Sequence, residues 1–261
     1  MKIRLRIALP MLCALWTATD LRAQENFYRV YQYETPLQGW LEPTVWSTWI
    51  GRSDLSSESG EQREGLWAHS AEIEYGLTDH MSLAAYADFE DPRDGGAEYS
   101  RARVEARYRF AQAYEHFFDT AVYAEYYFPR SLRTDTQELE MRLILQKDLE
   151  DFRIAINPVV SVPVRGLDSG KNPALALDVG LYWRRFLKAQ PGLEWYRDFG
   201  EIGDWSDKRQ MIFPTLDLRP ARGLVWHLGV GWGLTDASDK LVVKSILYYE
   251  FDLVRPARLF K

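Results

Sequence analysis

Cysteine is nearly absent from this chain. The single one, Cys13, lies in a leader-like N-terminal stretch, so the mature polypeptide carries no thiol for a disulfide or a thiolate metal site. Histidine is scarce as well, four in all, and none is spaced with other ligands as a metal centre requires. No cofactor is expected. Basic excess is missing too: the mature chain has 28 basic against 37 acidic residues, net −9, which argues against nucleic acid as a partner. The mean hydropathy is −0.35, and no mature segment offers the run of about 18 apolar residues that a spanning helix needs. If this chain sits in a membrane, its backbone polar groups must be satisfied between the strands of a closed barrel.

The N-terminus has the parts of an export signal. Lys2, Arg4 and Arg6 are followed by an apolar stretch from Ile7 to Ala18, then Leu21-Arg22-Ala23 with a small residue at the cleavage point. Residues 1–23 are therefore assigned to a signal peptide, 24–39 to a periplasmic tail, 40–251 to a barrel and 252–261 to a second periplasmic tail. No lipobox-like residues precede Cys13.

What the sequence has in abundance is aromatic residues, 14% of the full chain with 10 Trp and 15 Tyr, and period-2 alternation. From Tyr99 to Phe110 one face carries Arg101, Arg103, Glu105, Arg107 and Arg109. The other carries Ala102, Val104, Ala106, Tyr108 and Phe110. A membrane barrel turns the apolar face outward to lipid. The pattern repeats in segments near 40–50, 66–77, 81–89, 99–110, 117–128, 136–149, 152–162, 173–187, 192–200, 209–218, 223–234 and 240–251. Spans of roughly 9–11 residues suffice for a tilted strand to cross the hydrocarbon. The fold expected is an all-β, transmembrane, antiparallel up-and-down barrel of about 12 strands in the cell outer membrane. Connectors alternate between mostly short ones, such as 78–80 and 150–151, and mostly longer polar ones, such as 51–65 and 163–172. Short turns belong to the periplasmic side and long loops to the outside.

Glu74-Tyr75-Gly76-Leu77-Thr78-Asp79-His80-Met81-Ser82-Leu83 resembles the strand–turn–strand signature of outer-membrane barrels of the phenol-degradation-pathway transporter type. Gly231-Trp232-Gly233-Leu234-Thr235-Asp236-Ala237-Ser238-Asp239 resembles the penultimate hairpin of related barrels, and Pro191-Gly192-Leu193-Glu194-Trp195-Tyr196 fits the same group. The resemblance implies a barrel and leaves the solute open. The last strand resembles the signal read by the barrel-insertion machinery, with Lys244 as its polar position and Tyr249 and Phe251 as alternating aromatics. Ile246 departs from that pattern.

The lumen should hold a charge cluster of Asp88, Arg101, Arg103, Arg107, Arg109, Asp119, Glu125, Glu138, Glu140 and Arg142. If Phe110 and Phe118 are outward neighbours, the hairpin register pairs Arg109 with Asp119 and Arg103 with Glu125. Asp88 then falls beside Arg101. Two functions follow: an arginine track guiding an anionic solute, or a mutually neutralising network filling a narrow lumen, favoured because buried charges normally have partners. Gly229, Gly231 and Gly233 leave one inner wall bare, as room for a solute or the N-terminal tail, or as a device for curvature.

The functional expectation is a passive conduit for small solutes, anionic ones among them, with outer-membrane lipid and the insertion machinery as partners. The alternatives are a closed or plugged barrel with a binding or structural role and, third, a lipid-modifying enzyme. Against an enzyme, His69 and Ser70 are adjacent on a strand and point to opposite faces. His80 and His116 lie in turns and His227 among inward glycines. Catalytic groups assembled across strands would escape such a linear reading.

Overall fold

A computed structural model describes residues 26–56, 62–131, 135–205 and 208–253; residues 1–23, assigned above to a signal peptide, and residues 254–261 of the assigned second tail lie outside them. The strands are β1 (Trp40–Arg52), β2 (Trp67–Gly76), β3 (Met81–Asp91), β4 (Glu98–Arg109), β5 (Asp119–Pro129), β6 (Gln137–Leu149), β7 (Phe152–Arg165), β8 (Ala174–Trp183), β9 (Ala189–Glu201), β10 (Gln210–Ala221), β11 (Leu224–Gly233) and β12 (Leu241–Tyr249), with a two-residue β13 (Phe251–Asp252). Each of the twelve pairs antiparallel with its neighbour in sequence, and β12 returns to β1, with Val45 opposite Leu247 and Ser47 opposite Ser245. The sheet closes on itself and leaves no long open edge.

Alternation decides which side of the wall each residue faces. Val45, Ile73, Val104, Leu143, Leu181, Leu193, Val230 and Leu247 point outward, each with more than a third of its surface exposed. A continuous apolar exterior of this kind suits hydrocarbon and not water. Aromatic pairs rim it at both heights. Trp49 with Trp67, Phe89 with Tyr99 and Tyr126 with Phe128 lie toward the long loops. Tyr108 with Phe110, Phe152 with Trp183 and Tyr249 with Phe251 lie toward the short turns. This is the girdle arrangement of a membrane barrel. Depth should therefore govern tolerance. Leu143→Arg, at mid-strand, should destabilise the folded barrel by about 2–4 kcal/mol, and Leu149→Arg, beside a turn, by about 0–1 kcal/mol. Urea unfolding in lipid vesicles would measure both; equal losses would contradict the depth assignment.

The short-turn end holds the connectors 77–80, 150–151, 184–188 and 222–223. The β4–β5 turn at 110–118 is longer, and this corrects the expected register. Phe117 and Phe118 belong to the turn, and β5 begins at Asp119. Arg109 faces Ala121 and Arg103 faces Tyr127. Asp119 accepts a 2.6 Å hydrogen bond from the main-chain N–H of Tyr114, which itself sits at φ 69°. Asp119 thus caps the turn and is not the partner of Arg109.

At the other end described residues of the β1–β2 connector are tied to the neighbouring β11–β12 connector. Arg63, 3% exposed, reaches Asp239 between β11 and β12 through two hydrogen bonds of 3.1 and 2.8 Å, and Ser53 adds a third of 2.6 Å.

Candidate functional site: a filled lumen

The largest departure from the assigned domains is the N-terminal tail, which takes the other place the sequence left open for it, beside the bare glycine wall. Residues 26–35 run through the lumen as one extended segment. Phe27, Tyr28, Val30, Tyr31 and Tyr33 are all at most 6% exposed. Five such side chains close together lose on the order of several kcal/mol if left in water, and the barrel interior is the apolar surface within reach. Three contact groups receive them. Phe27 packs with Trp46, Ala68, Ala84, Tyr86 and Ile246. Tyr28 and Val30 pack with Ala155, Tyr182, Tyr196, Met211, Phe213 and Val242. Tyr31 and Tyr33 pack with Ala121, Tyr123 and Ile144.

A buried strand also needs partners for its main chain. Here wall side chains supply them. The Tyr31 N–H donates to Asn157 Oδ1 at 2.7 Å, and Asn157 Nδ2 donates back to the Tyr31 carbonyl at 3.0 Å. The Tyr33 N–H donates to Gln146 Oε1 at 2.9 Å. Lys244 Nζ donates to the Tyr28 carbonyl at 3.0 Å and Arg107 to the Glu34 carbonyl at 3.1 Å. Glu34 closes an ion pair with Arg153 at 2.6 Å. From Tyr33, near the Ala111 turn, to Asn26, which bonds Glu90 at 2.8 Å, the segment spans the barrel from the short-turn end toward the long loops.

The bare wall of β11 now has a cause. A Cβ on Gly231 would collide with the Phe213 ring, and one on Gly229 would meet the Lys244 stem at 2.7 Å. These glycines let side chains of β10 and β12 lean across β11 toward Tyr28, whose ring lies 4.9 Å from that of Phe213.

The predicted charge cluster lines the lumen and is largely internally paired. Asp88 lies opposite Arg101 and is bonded by it at 2.8 Å. Arg103 bridges Asp88 and Glu125, both at 2.8 Å, with its guanidinium 4.0 Å from the Tyr86 ring centre. Arg107 pairs with Glu105 at 2.8 Å and approaches Glu74 at 3.7 Å. Arg142 joins Glu140 at 2.6 Å to Asp178 at 2.5 Å. Glu138 sits at a bulge near the start of β6, opposite Pro163. Arg109 bonds the Asp79 carbonyl and covers the Tyr33 ring at 5.4 Å.

Sequence reading missed a second centre on the opposite wall. Glu194 receives Lys244 Nζ, Tyr196 Oη at 2.6 Å and Tyr182 Oη at 2.7 Å, and His227 lies beyond, bonded to Asp217 at 2.5 Å. Glu194 and Lys244 are each 1% exposed. The signal was faint, one inward acid on β9 and one inward lysine on β12, with two strands between them.

One pair on the outer face bears on the enzyme reading. Ser47 and His69 are opposite each other on β1 and β2, with Ser47 Oγ 3.0 Å from His69 Nδ1. Among the described residues no carboxylate or carboxamide bonds this ring, which instead stacks on Trp67 at 5.8 Å. The flanking main-chain N–H groups belong to the strand ladders. A nucleophile–base pair without an orienting third group or oxyanion donors lacks the parts acyl transfer requires.

No family model and no curated protein matches the sequence. Solved structures do. The KdgM porin in complex with disordered oligogalacturonate aligns over 81% of this chain and 99% of its own, at 9% identity and TM-score 0.55. An outer membrane channel of Pseudomonas putida F1 aligns over 84% of this chain and 98% of its own, at 11% identity and TM-score 0.59. These likenesses establish the class of fold, a monotonously wound outer-membrane-type barrel of about the same size. At this identity they carry the fold alone.

Proposed function

We propose that this chain is an outer-membrane channel for small solutes, held shut by its own N-terminal segment. The observation that carries the reading is residues 26–35 lying through a polar lumen, bound by wall side chains and by no strand ladder. Withdrawing the segment would leave every interstrand hydrogen bond of the barrel in place. It would expose a wall of carboxylates, guanidiniums, amides and phenols that water can fill. The channel nature of the structural neighbours and the resemblance to phenol-degradation-pathway transporters support a passive conduit. An arginine track for an acidic solute has less support, because Arg101, Arg103, Arg107 and Arg142 already have carboxylate partners. Insertion would use the outward aromatics Tyr249 and Phe251, with Lys244 as the inward polar position of the final strand.

In a planar bilayer the full mature chain should open rarely. The same chain lacking residues 26–35 should give stable current steps, with open probability raised at least about tenfold. A silent, correctly folded deletion would sink the channel reading and favour a permanently filled barrel with a structural role.

A further inference from the structure

The acids of the β1–β2 wall are provided for differently from those of β4. Glu42 and Glu72 point inward, 5% and 2% exposed. Glu72 accepts a hydrogen bond from Trp46 Nε1 at 2.7 Å and lies 2.8 Å from Tyr86 Oη, whose single proton it shares with Glu105 of β4. A cation of the segment in the lumen reaches this wall: Arg29, whose guanidinium lies over the Trp46 ring that bonds Glu72 through its Nε1. Its guanidinium lies 5.3 Å from the Trp46 ring centre, 5.6 Å from that of Tyr248 and 5.5 Å from that of Tyr31. Two atoms here have no hydrogen-bond partner despite full burial: Arg29 Nη1, and Oγ1 of Thr44, which sits between Glu42 and Trp46 on the inward face and is 1% exposed.

Aromatic faces, paired carboxylates and a free hydroxyl are the elements with which proteins hold organic cations. Arg29 touches this wall with its charge but leaves both the hydroxyl and one of its own nitrogens unsatisfied. A built-in ligand that fits imperfectly is one that another cation can replace.

We infer that Glu42, Thr44, Trp46, Glu72 and Tyr248 form a subsite for a guanidinium- or ammonium-bearing solute, occupied in the closed state by Arg29 as an internal competitor. As a solute site it rests on the channel reading; as a binding site it can be tested without any current. The lumen it faces is acidic on this side. Arg103 and Arg107 are committed to Asp88, Glu125 and Glu105, so they do not oppose an incoming cation.

The test is calorimetric titration of agmatine into the detergent-folded protein, with heat-modifiable migration on a gel as the check of folding. Arg29→Ala should bind agmatine at least about tenfold more tightly than the parent chain, and adding Glu72→Gln should remove that gain. A folded Arg29→Ala that binds no better than the parent would overturn the subsite, as would retention of full affinity after Glu72→Gln. Should Arg29→Ala not fold, the arginine stays in place and competition is read directly. Agmatine should speed maleimide labelling of a Val30→Cys chain at least about tenfold, whereas 1,4-butanediol should not. Equal effects of the two compounds would also overturn it. Binding without conductance in the segment-deleted barrel would remove the channel reading and leave the site. Conductance without binding would do the reverse.

Discussion

Glu194→Leu should destabilise the barrel by about 3–5 kcal/mol, the penalty for leaving a buried charge without its counterion. Lys244 Nζ would keep only the Tyr28 carbonyl at 3.0 Å and Tyr196 Oη at 3.1 Å, both neutral. At 1% exposure no water can replace the carboxylate. The hydroxyls of Tyr182 and Tyr196 would lose their acceptor as well. Glu194→Leu with Lys244→Met removes both charges and should recover most of the loss, because exchanging a whole buried pair for apolar residues is often close to neutral. The urea midpoint of each variant in detergent gives the comparison. A double variant as unstable as the single would mean that the two groups are not energetically coupled.

Arg103→Met is the second large effect, again about 3–5 kcal/mol. This guanidinium connects Asp88 to Glu125 and lies over Tyr86, and removing it leaves Glu125 with the Tyr123 hydroxyl at 2.7 Å. Arg109→Met is the control, since its partners are a carbonyl and a ring and not a carboxylate. The temperature at which the folded band disappears on a gel should fall clearly for Arg103→Met and less for Arg109→Met. Any residual conductance of Arg103→Met should keep the parent's ion preference. A stable Arg103→Met barrel with altered reversal potential would revive the arginine-track alternative, in which these charges stand free in a pore.

The barrel was legible because a two-residue period leaves no freedom. Once Val104 and Leu143 face outward, Arg103 and Arg142 must face inward, and a one-residue slip would bury charge in lipid. Inwardness could therefore be read strand by strand, as for Asp88, Glu125 and Glu140. Register across a turn could not, because it depends on turn length: Phe117 and Phe118 continue the alternation into the β4–β5 turn, where Tyr114 and Asp119 in fact close it. The filling of the lumen was only an open alternative, raised by the bare glycine wall, for another reason. Residues 26–35 show no long alternating run and have no strand partner, so they read as a tail. The available clue was composition. Phe27, Tyr28, Tyr31 and Tyr33 are too apolar a group to leave in water, and the bare wall at Gly229 and Gly231 was a matching space. Ser47 and His69, 22 positions apart, show how a cross-strand pair escapes linear scanning even when its chemistry is familiar.

Whether the N-terminal segment occupies the lumen can be measured directly by thiol protection. The chain's single cysteine is Cys13; with it replaced by serine, Val30→Cys is the one reporter at a position 2% exposed inside the barrel, and Leu37→Cys a matched one at 50% exposure. In detergent-folded protein Leu37→Cys should react with a small maleimide within minutes. Val30→Cys should stay protected until the barrel is unfolded, with a rate at least about a hundredfold lower. Equal, rapid labelling of the two positions in the folded barrel would place the segment outside the lumen and contradict the account.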